Sequence, residues 1–448
     1  MMVSETDRSP ETDWRVGVGV QNITPERPIW LYGYACEQRF QPSIGVLDDL
    51  YARAIAFEDG EGERCVIVAI DLCTPRKPLA RRLTEAVAGA ADVSRDNVLI
   101  NATHTHSGPT LAQEDVEGRF PIDEDQWEKM EEYTEALPDS VRGAAERAVE
   151  DLRPARVSFS RGEVDFIANR RELRATGEWA GMGPGGQGRV ERSVPILRVD
   201  GSDGQLRAVL FGCACHNVTL DPGNLLVSSD YAGFARAAIE RDHAGATAIF
   251  LQGCGADANT HPRGGRRQWV HVREHGESLG QEVGRVIRDG GFEPVGGPLR
   301  MAKAEVDLPL AVDIPREQLV SKAEGPDWEA FNADRMLEMI DRGEELPESY
   351  RAPLSLWRFG EALDLVGISG EVTVDYAFRA ADLLPSAHAW VLGYSHEVFG
   401  YLPTGEIIDQ GGYETRGLLP PGTGYFAPQV ESVVLESIKR LIRETEQR

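Results

Sequence analysis

An α/β fold, a layered sandwich of largely buried β-sheet flanked by helices, follows from three features of the chain. Apolar, β-rich runs recur along it, each ending in a polar or Gly-rich cluster. Segments of helical period separate these runs. The residues suited to metal or acid–base chemistry fall at the ends of the runs rather than inside them.

The runs come first. They are Cys65 to Asp71, Asn97 to His104, Arg207 to His216, Thr247 to Gln252, Leu363 to Glu371 and Ala389 to Gly393. Such apolar runs suit strands buried on both faces, as in a sheet covered by helices. Between them, Pro78 to Ala91 carries apolar residues at helical spacing. Asp125 to Leu152 reads as one long helix, or a helix pair broken near Pro138. Ser229-Asp230 can cap a helix through Arg241, with Tyr231, Phe234, Ala235, Ala238 and Ile239 on one face. Trp269 to Ile287 and Val430 to Arg443 are further helices. Ile167 to Arg192, rich in Gly and Arg, reads as a long surface loop or lid. Residues 302–360 read as an excursion, with a strand over Met301 to Leu308 and a helix near Trp328 to Arg342.

Charge narrows the function classes. The 448 residues include 73 acidic and 47 basic ones, for a net charge of −26, and lysine occurs only at positions 77, 129, 303, 322 and 439. Such a chain repels phosphate backbones and anionic membranes, which argues against nucleic acid as a partner. A hydrophobic fraction of 41% excludes disorder as the main state. Two sources produce this composition: an acidic protein of a GC-rich genome, or adaptation to high salt. The even spread of acid along the chain favours the second, a halophilic protein.

Residues 1–14 are polar and acidic, without a basic or apolar leader, and are expected to form a disordered tail ahead of one domain over 15–448. No apolar run approaches the roughly 18 residues that span a bilayer, so no stable membrane anchor is expected. The six cysteines form no CxxC pair, which fits buried thiols in a reducing cytoplasm. Cys213-Ala-Cys215 as a ligand pair is the weaker reading. The sequence leaves the oligomeric state open.

In α/β sheets, ligands collect beyond the carboxyl ends of the strands. Here those ends carry Asp71, His104, His106, His216, Asp257 and Glu371. In a continuing strand His104 and His106 share a face, and Gly108-Pro109 then breaks the strand. Singly, these residues have plainer readings: a surface HxH, a core histidine at 216, a helix-dipole acid at 371. Together, two imidazoles and one carboxylate with an open position suit zinc (Zn2+).

His104-Thr-His106-Ser-Gly-Pro109 resembles the signature of the neutral/alkaline non-lysosomal ceramidases, zinc amidases that hydrolyse the N-acyl bond of sphingolipids. The resemblance extends to Asn22-Ile-Thr-Pro25, Gly45 to Arg53, Asn169-Arg170, Ser229 to Phe234, Gly370-Glu371, Phe399-Gly-Tyr401 and Gly412-Tyr-Glu414. It implies His104, His216, Glu371 and Tyr401 as zinc ligands, with Tyr394 the competing tyrosine. It implies that His106 touches substrate and assists proton transfer. It also implies that Arg170 and Tyr413 hold and polarise the amide carbonyl. The departures are Asn259, where the family carries serine, and the lack of any match to its secretion signal or its C-terminal immunoglobulin-like domain. Asp257 is expected to support the site, directly or through a cation. The expected function is a zinc-dependent amidohydrolase that uses a metal-activated water on a small-molecule or lipid-like N-acyl substrate. Two alternatives stand beside it: the same site acting on another amide or an ester, and a non-catalytic binding protein that keeps the fold.

Overall fold

The computed structural model describes residues 14–34, 39, 41–113, 122–325 and 327–447. Residues 1–13 of the tail predicted over 1–14, and Cys36, lie outside them, whereas Trp14 is the buried first residue of a strand rather than the end of a disordered tail.

Twelve main strands follow one plan three times. In the first unit β1 (Trp14–Asn22), β2 (Tyr51–Glu58) and β3 (Arg64–Ile70) form an antiparallel meander. Helix α1 (Lys77–Ala91) then returns the chain to β4 (Val98–Ala102), parallel to β3. Helix α2 (Glu124–Glu150) leads to the second unit, β5 (Arg153–Glu163), β6 (Ser193–Gly201) and β7 (Leu206–Cys213). Helix α3 (Asp230–Asp242) crosses to β8 (Thr247–Gln252), parallel to β7. These eight strands form one path in the order 8-7-6-5-1-2-3-4. Helix α4 (Gln268–Asp289) precedes the third unit, β9 (Leu299–Pro309), β10 (Ser349–Phe359) and β11 (Leu363–Ile368), with α5 (Arg316–Ala323) and α6 (Asp327–Asp341) between β9 and β10. Helix α7 (Asp375–Ala381) returns to β12 (His388–Leu392), parallel to β11. Two helices, α8 (Gly405–Gln410) and α9 (Val430–Glu446), complete the chain.

Hydrophobic burial orders the layers. Trp14, Phe57, Leu210 and Ile249 of the large sheet meet Trp357, Leu365 and Trp390 of the second sheet in a shared core. The outer face of the large sheet is covered by α1 and α2 on one half and by α3 and α4 on the other. Helix α9 covers the outer face of the second sheet. Helix α2 lies directly on β1: a Cβ at Gly17 or Gly19 would stand 2.0 Å from a carbonyl oxygen of α2. The same helix runs unbroken through Pro138, because Met130 and Leu137 before it and Val141, Ala144 and Ala148 after it bury one continuous face.

The structure changes two readings. The stretch over residues 302–360 supplies β9 and β10 of the second sheet, with Pro353 accommodated opposite Glu305. The predicted lid is only partly at the surface. Ile167–Asn169 pairs with Ala258–Thr260 and Arg171 is buried, whereas residues 174–178 and most of 184–189 are exposed. Among the described residues no helix is long and apolar enough to cross a membrane. Cys213 and Cys215 pack in the core beside α3.

Candidate metal centre

Each unit delivers one residue to a common point. Past β4 the chain turns through His104, held at φ +60°, and its imidazole Nδ1 lies 2.9 Å from the Cys73 carbonyl. Past β7, the Nδ1 of His216 lies 2.7 Å from the Gly255 carbonyl. A carbonyl only accepts, so each Nδ1 carries a proton and each Nε2 is directed at the common point, where a metal ion would take its lone pair. Past β11, Glu371 pairs in parallel with Tyr401, which sets the two side by side. Glu371 Oε2 stands 3.1 Å from His104 Nε2 and 3.2 Å from His216 Nε2. Three buried donors thus lie within 4.8 Å of one another, and their N2O set fits zinc. The carbonyl bonds behind both imidazoles are the orienting contacts such ligands require.

Burial works to lower the His104 imidazole, but Cys73 and Glu371 outweigh it and hold it well above its ordinary range, so it carries a positive charge beside the carboxylate that a metal ion would replace. Burial works to raise the Glu371 carboxyl, but the charges and hydrogen bonds of His104 and His216 outweigh it and hold it well below the usual range. Burial, helped by the Arg170 charge, lowers His216 to about 4. An ionised carboxylate buried among imidazoles is a place for a cation.

The other predicted residues surround this point. His106 Nε2 lies 3.1 Å from His104 Nε2. Burial, reinforced by the neighbouring imidazoles, holds His106 well below its ordinary range, so it is neutral. Gly33 makes room for its ring, since a Cβ there would stand 2.4 Å from His106 Cγ. Tyr401 is buried with its ring 6.4 Å from that of His216. Tyr394 stacks 4.6 Å from His104, and its buried hydroxyl has no hydrogen-bond partner. Arg170 donates through Nε to Glu414 Oε1 at 2.8 Å. Its guanidinium lies 5.4 Å from the Tyr401 ring and 5.3 Å from the Tyr413 ring. Its buried Nη2 has no partner. Arg171 binds the other Glu414 oxygen.

Asp257 sits behind the site. Its carboxylate accepts from Val374 N at 2.8 Å and Asn169 Nδ2 at 3.1 Å, and its carbonyl accepts from Arg170 N. Burial raises it to about 6. It ties the Arg170 strand to the start of α7. Asn259 lines the cavity, with a buried Oδ1 that has no partner.

A cavity of about 1110 Å³ opens over His104, His106, Glu371 and Tyr401, walled by Tyr32, Tyr34, Trp179, Trp328 and Phe331. Sequence reasoning missed these aromatic walls, which come from loops, from the Trp179–Met182 hairpin strand and from α6. It also missed Glu414, although its segment was recognised. Cys73 carries no motif, yet its carbonyl orients His104 and its Sγ lies 3.5 Å from the same ring.

Comparison with known proteins finds relatives among the neutral ceramidases. The chain is 27% identical over 262 residues to the neutral ceramidase of Pseudomonas aeruginosa, covering 56% of this chain and 38% of that protein. It is 28% identical over 249 residues to the neutral ceramidase of Mycobacterium tuberculosis, covering 52% and 36%. To neutral ceramidase A of Dictyostelium discoideum it is 25% identical over 233 residues, covering 51% and 32%. The matched region thus spans about a third of each curated relative. The solved structure of the neutral ceramidase from Pseudomonas aeruginosa shares the fold, with a TM-score of 0.74, 20% identity and coverage of 98% of this chain and 75% of that one. A ceramidase complexed with C2 superposes equally well, with a TM-score of 0.74 at 20% identity, covering 98% and 76%. The family described as neutral/alkaline non-lysosomal ceramidase, N-terminal, matches residues 14–260, and the chain belongs to it.

Proposed function

We propose that the protein is a zinc-dependent amidohydrolase that cleaves the N-acyl bond of a small-molecule or lipid-like substrate, ceramide among the candidates. One observation carries this reading: two imidazoles with their Nδ1 positions committed to carbonyls direct both Nε2 atoms at one oxygen of a buried carboxylate. His104, His216 and Glu371 would hold the metal, with Tyr401 as the fourth ligand. A zinc ion bound there supplies a Lewis acid and water activation near neutral pH.

The chain's own residues do the rest. The unpartnered Nη2 of Arg170, with Tyr413 beside it, receives the amide oxygen as charge develops there. Glu414 holds Arg170 in place from behind. His106, neutral at rest, takes a proton from the attacking water and passes it to the departing amine nitrogen. The aromatic walls exclude water and hold the acyl chain. The retained set of polar groups argues against a binding protein that merely keeps the fold.

The test is metal content together with hydrolysis of a fluorogenic ceramide analogue and shorter N-acyl amides, at high and low salt. Alanine at His104 or His216 should abolish both metal and turnover. Chelation should silence the parent, and zinc should restore it. Full turnover in either alanine variant refutes the assignment.

A further inference from the structure

The cavity wall reverses the sign of the protein. In a chain of net charge −26, Arg170, Arg263 and Arg416 line the cavity, against Asp334 and the site carboxylate Glu371. The acids behind two of these arginines are shared. Glu414 serves both Arg170 and Arg171, and Glu329 serves both Arg416 and Lys322. Three cations and two carboxylates thus line one concavity. Low-dielectric walls focus such a field onto whatever enters.

Arg263 is the half-buried cation of this wall. Among the described residues it has no carboxylate within 4 Å, and its Nη2 donates to the Tyr34 hydroxyl at 3.3 Å. Its loop is pinned: His261 N bonds Phe166 O, Gly264 N bonds Thr219 O, and the Pro262 carbonyl accepts from His275. Arg39 lies against the other side of Tyr34, 4.9 Å from its ring. Its Nη1 donates to the Tyr32 and His106 carbonyls, its Nε and Nη2 are buried without partners, and no carboxylate pairs with it among the described residues. The nearby Asp221 is engaged by backbone N–H groups of Gly223 and Gly265. The Tyr34 ring meets the His106 ring edge-on at 5.0 Å. The Arg263–Arg39 arm thus adjoins the residue that serves the departing amine, whereas Trp328, Arg170 and Arg416 gather on the Tyr401 and Tyr413 rings.

Resting on the amidase reading, we propose that the substrate carries an anionic group, carboxylate or phosphate, on its amine half, and that Arg263 recognises it. The acyl chain lies along the aromatic wall and the anion at Arg263. The reaction is amide hydrolysis: water adds to the carbonyl carbon, the C–N bond breaks, and the amine leaves with a proton while keeping its anionic group.

The test compares three substrates with one acyl chain: N-dodecanoylglycine, N-dodecanoyl phosphoethanolamine and neutral N-dodecanoylglycinamide. They are assayed with the zinc-loaded protein at fixed ionic strength. At least one anionic substrate should exceed the neutral one in kcat/KM by tenfold or more, and the better one identifies the group. Arg263→Met should reduce that ratio at least tenfold, and Arg263→Lys should retain part of it. A ratio near one in the parent, or a ratio unchanged in Arg263→Met, overturns the proposal while leaving the amidase reading intact. If no amide is cleaved, the amidase reading fails, and calorimetric binding decides the anion site alone. Tighter binding of N-dodecanoylglycine than of the glycinamide, lost in Arg263→Met, supports it; equal binding overturns it.

Discussion

Replacing Glu397 by glutamine should make the protein more stable above neutral pH and leave it unchanged in acid. The Glu397 side chain is 2% exposed. Its Oε2 accepts from the Tyr350 hydroxyl at 3.3 Å, its Oε1 has no hydrogen-bond partner, and the Lys77 ammonium stands 3.9 Å away. Burial foremost raises this carboxyl from 4.5 to about 7. The folded state therefore keeps a proton that the unfolded chain releases near 4.5. The stability this provides is complete below about pH 4.5, declines between there and 7, and is gone above. A shift of this size corresponds to about 3 kcal/mol. Glutamine keeps the shape and the tyrosine bond without the charge. The half-exposed Lys77 loses a partner worth less than about 1 kcal/mol. Urea midpoints of parent and Glu397→Gln, measured at pH 5 and pH 8 in one salt concentration, supply the comparison. The variant should gain about 2–3 kcal/mol relative to the parent between the two pH values. A difference that does not change with pH would refute the reasoning.

Two further outcomes concern the site. Gly33→Ala places a Cβ 2.4 Å from His106 Cγ at a residue with φ +109°, so amide turnover should fall at least about tenfold while zinc content stays at one per chain. Turnover near the parental rate would show that His106 tolerates displacement. Glu414→Gln leaves Arg170 and Arg171 buried with no carboxylate between them. It should lower stability by about 3–5 kcal/mol, read from the unfolding midpoint, and a midpoint matching the parent's would count against the pairing.

The parts of this molecule legible in the sequence share a physical cause. The parallel pairs β3–β4, β7–β8 and β11–β12 are buried on both faces, and their continuous apolar runs announce them. The antiparallel strands β5 and β10 alternate exposed and buried residues at their ends and contain proline, so their runs are broken. His104, His216 and Glu371 were legible because strand ends are where α/β sheets place chemistry. Tyr401 was not legible from spacing, because its place opposite Glu371 is set by a two-residue pairing that no periodicity reveals. The basic wall stayed hidden because Arg170, Arg263 and Arg416 are far apart in the chain and are joined only by the fold.

The three-unit plan has a consequence for folding. His216 and Glu371 lie 155 residues apart, and His104 belongs to a third segment, so no local stretch of chain can assemble the centre. The parallel pairs are stitched to one another by Asn101, whose amide donates to the Gly393 carbonyl and whose Oδ1 accepts from Gln252 N. Contacts of such high sequence separation form late, because loop closure must precede them. A metal ion that needs all three donors therefore binds only chains in which every unit has docked. Its uptake during refolding would time the last step of assembly, and its release on heating would time the first step of collapse.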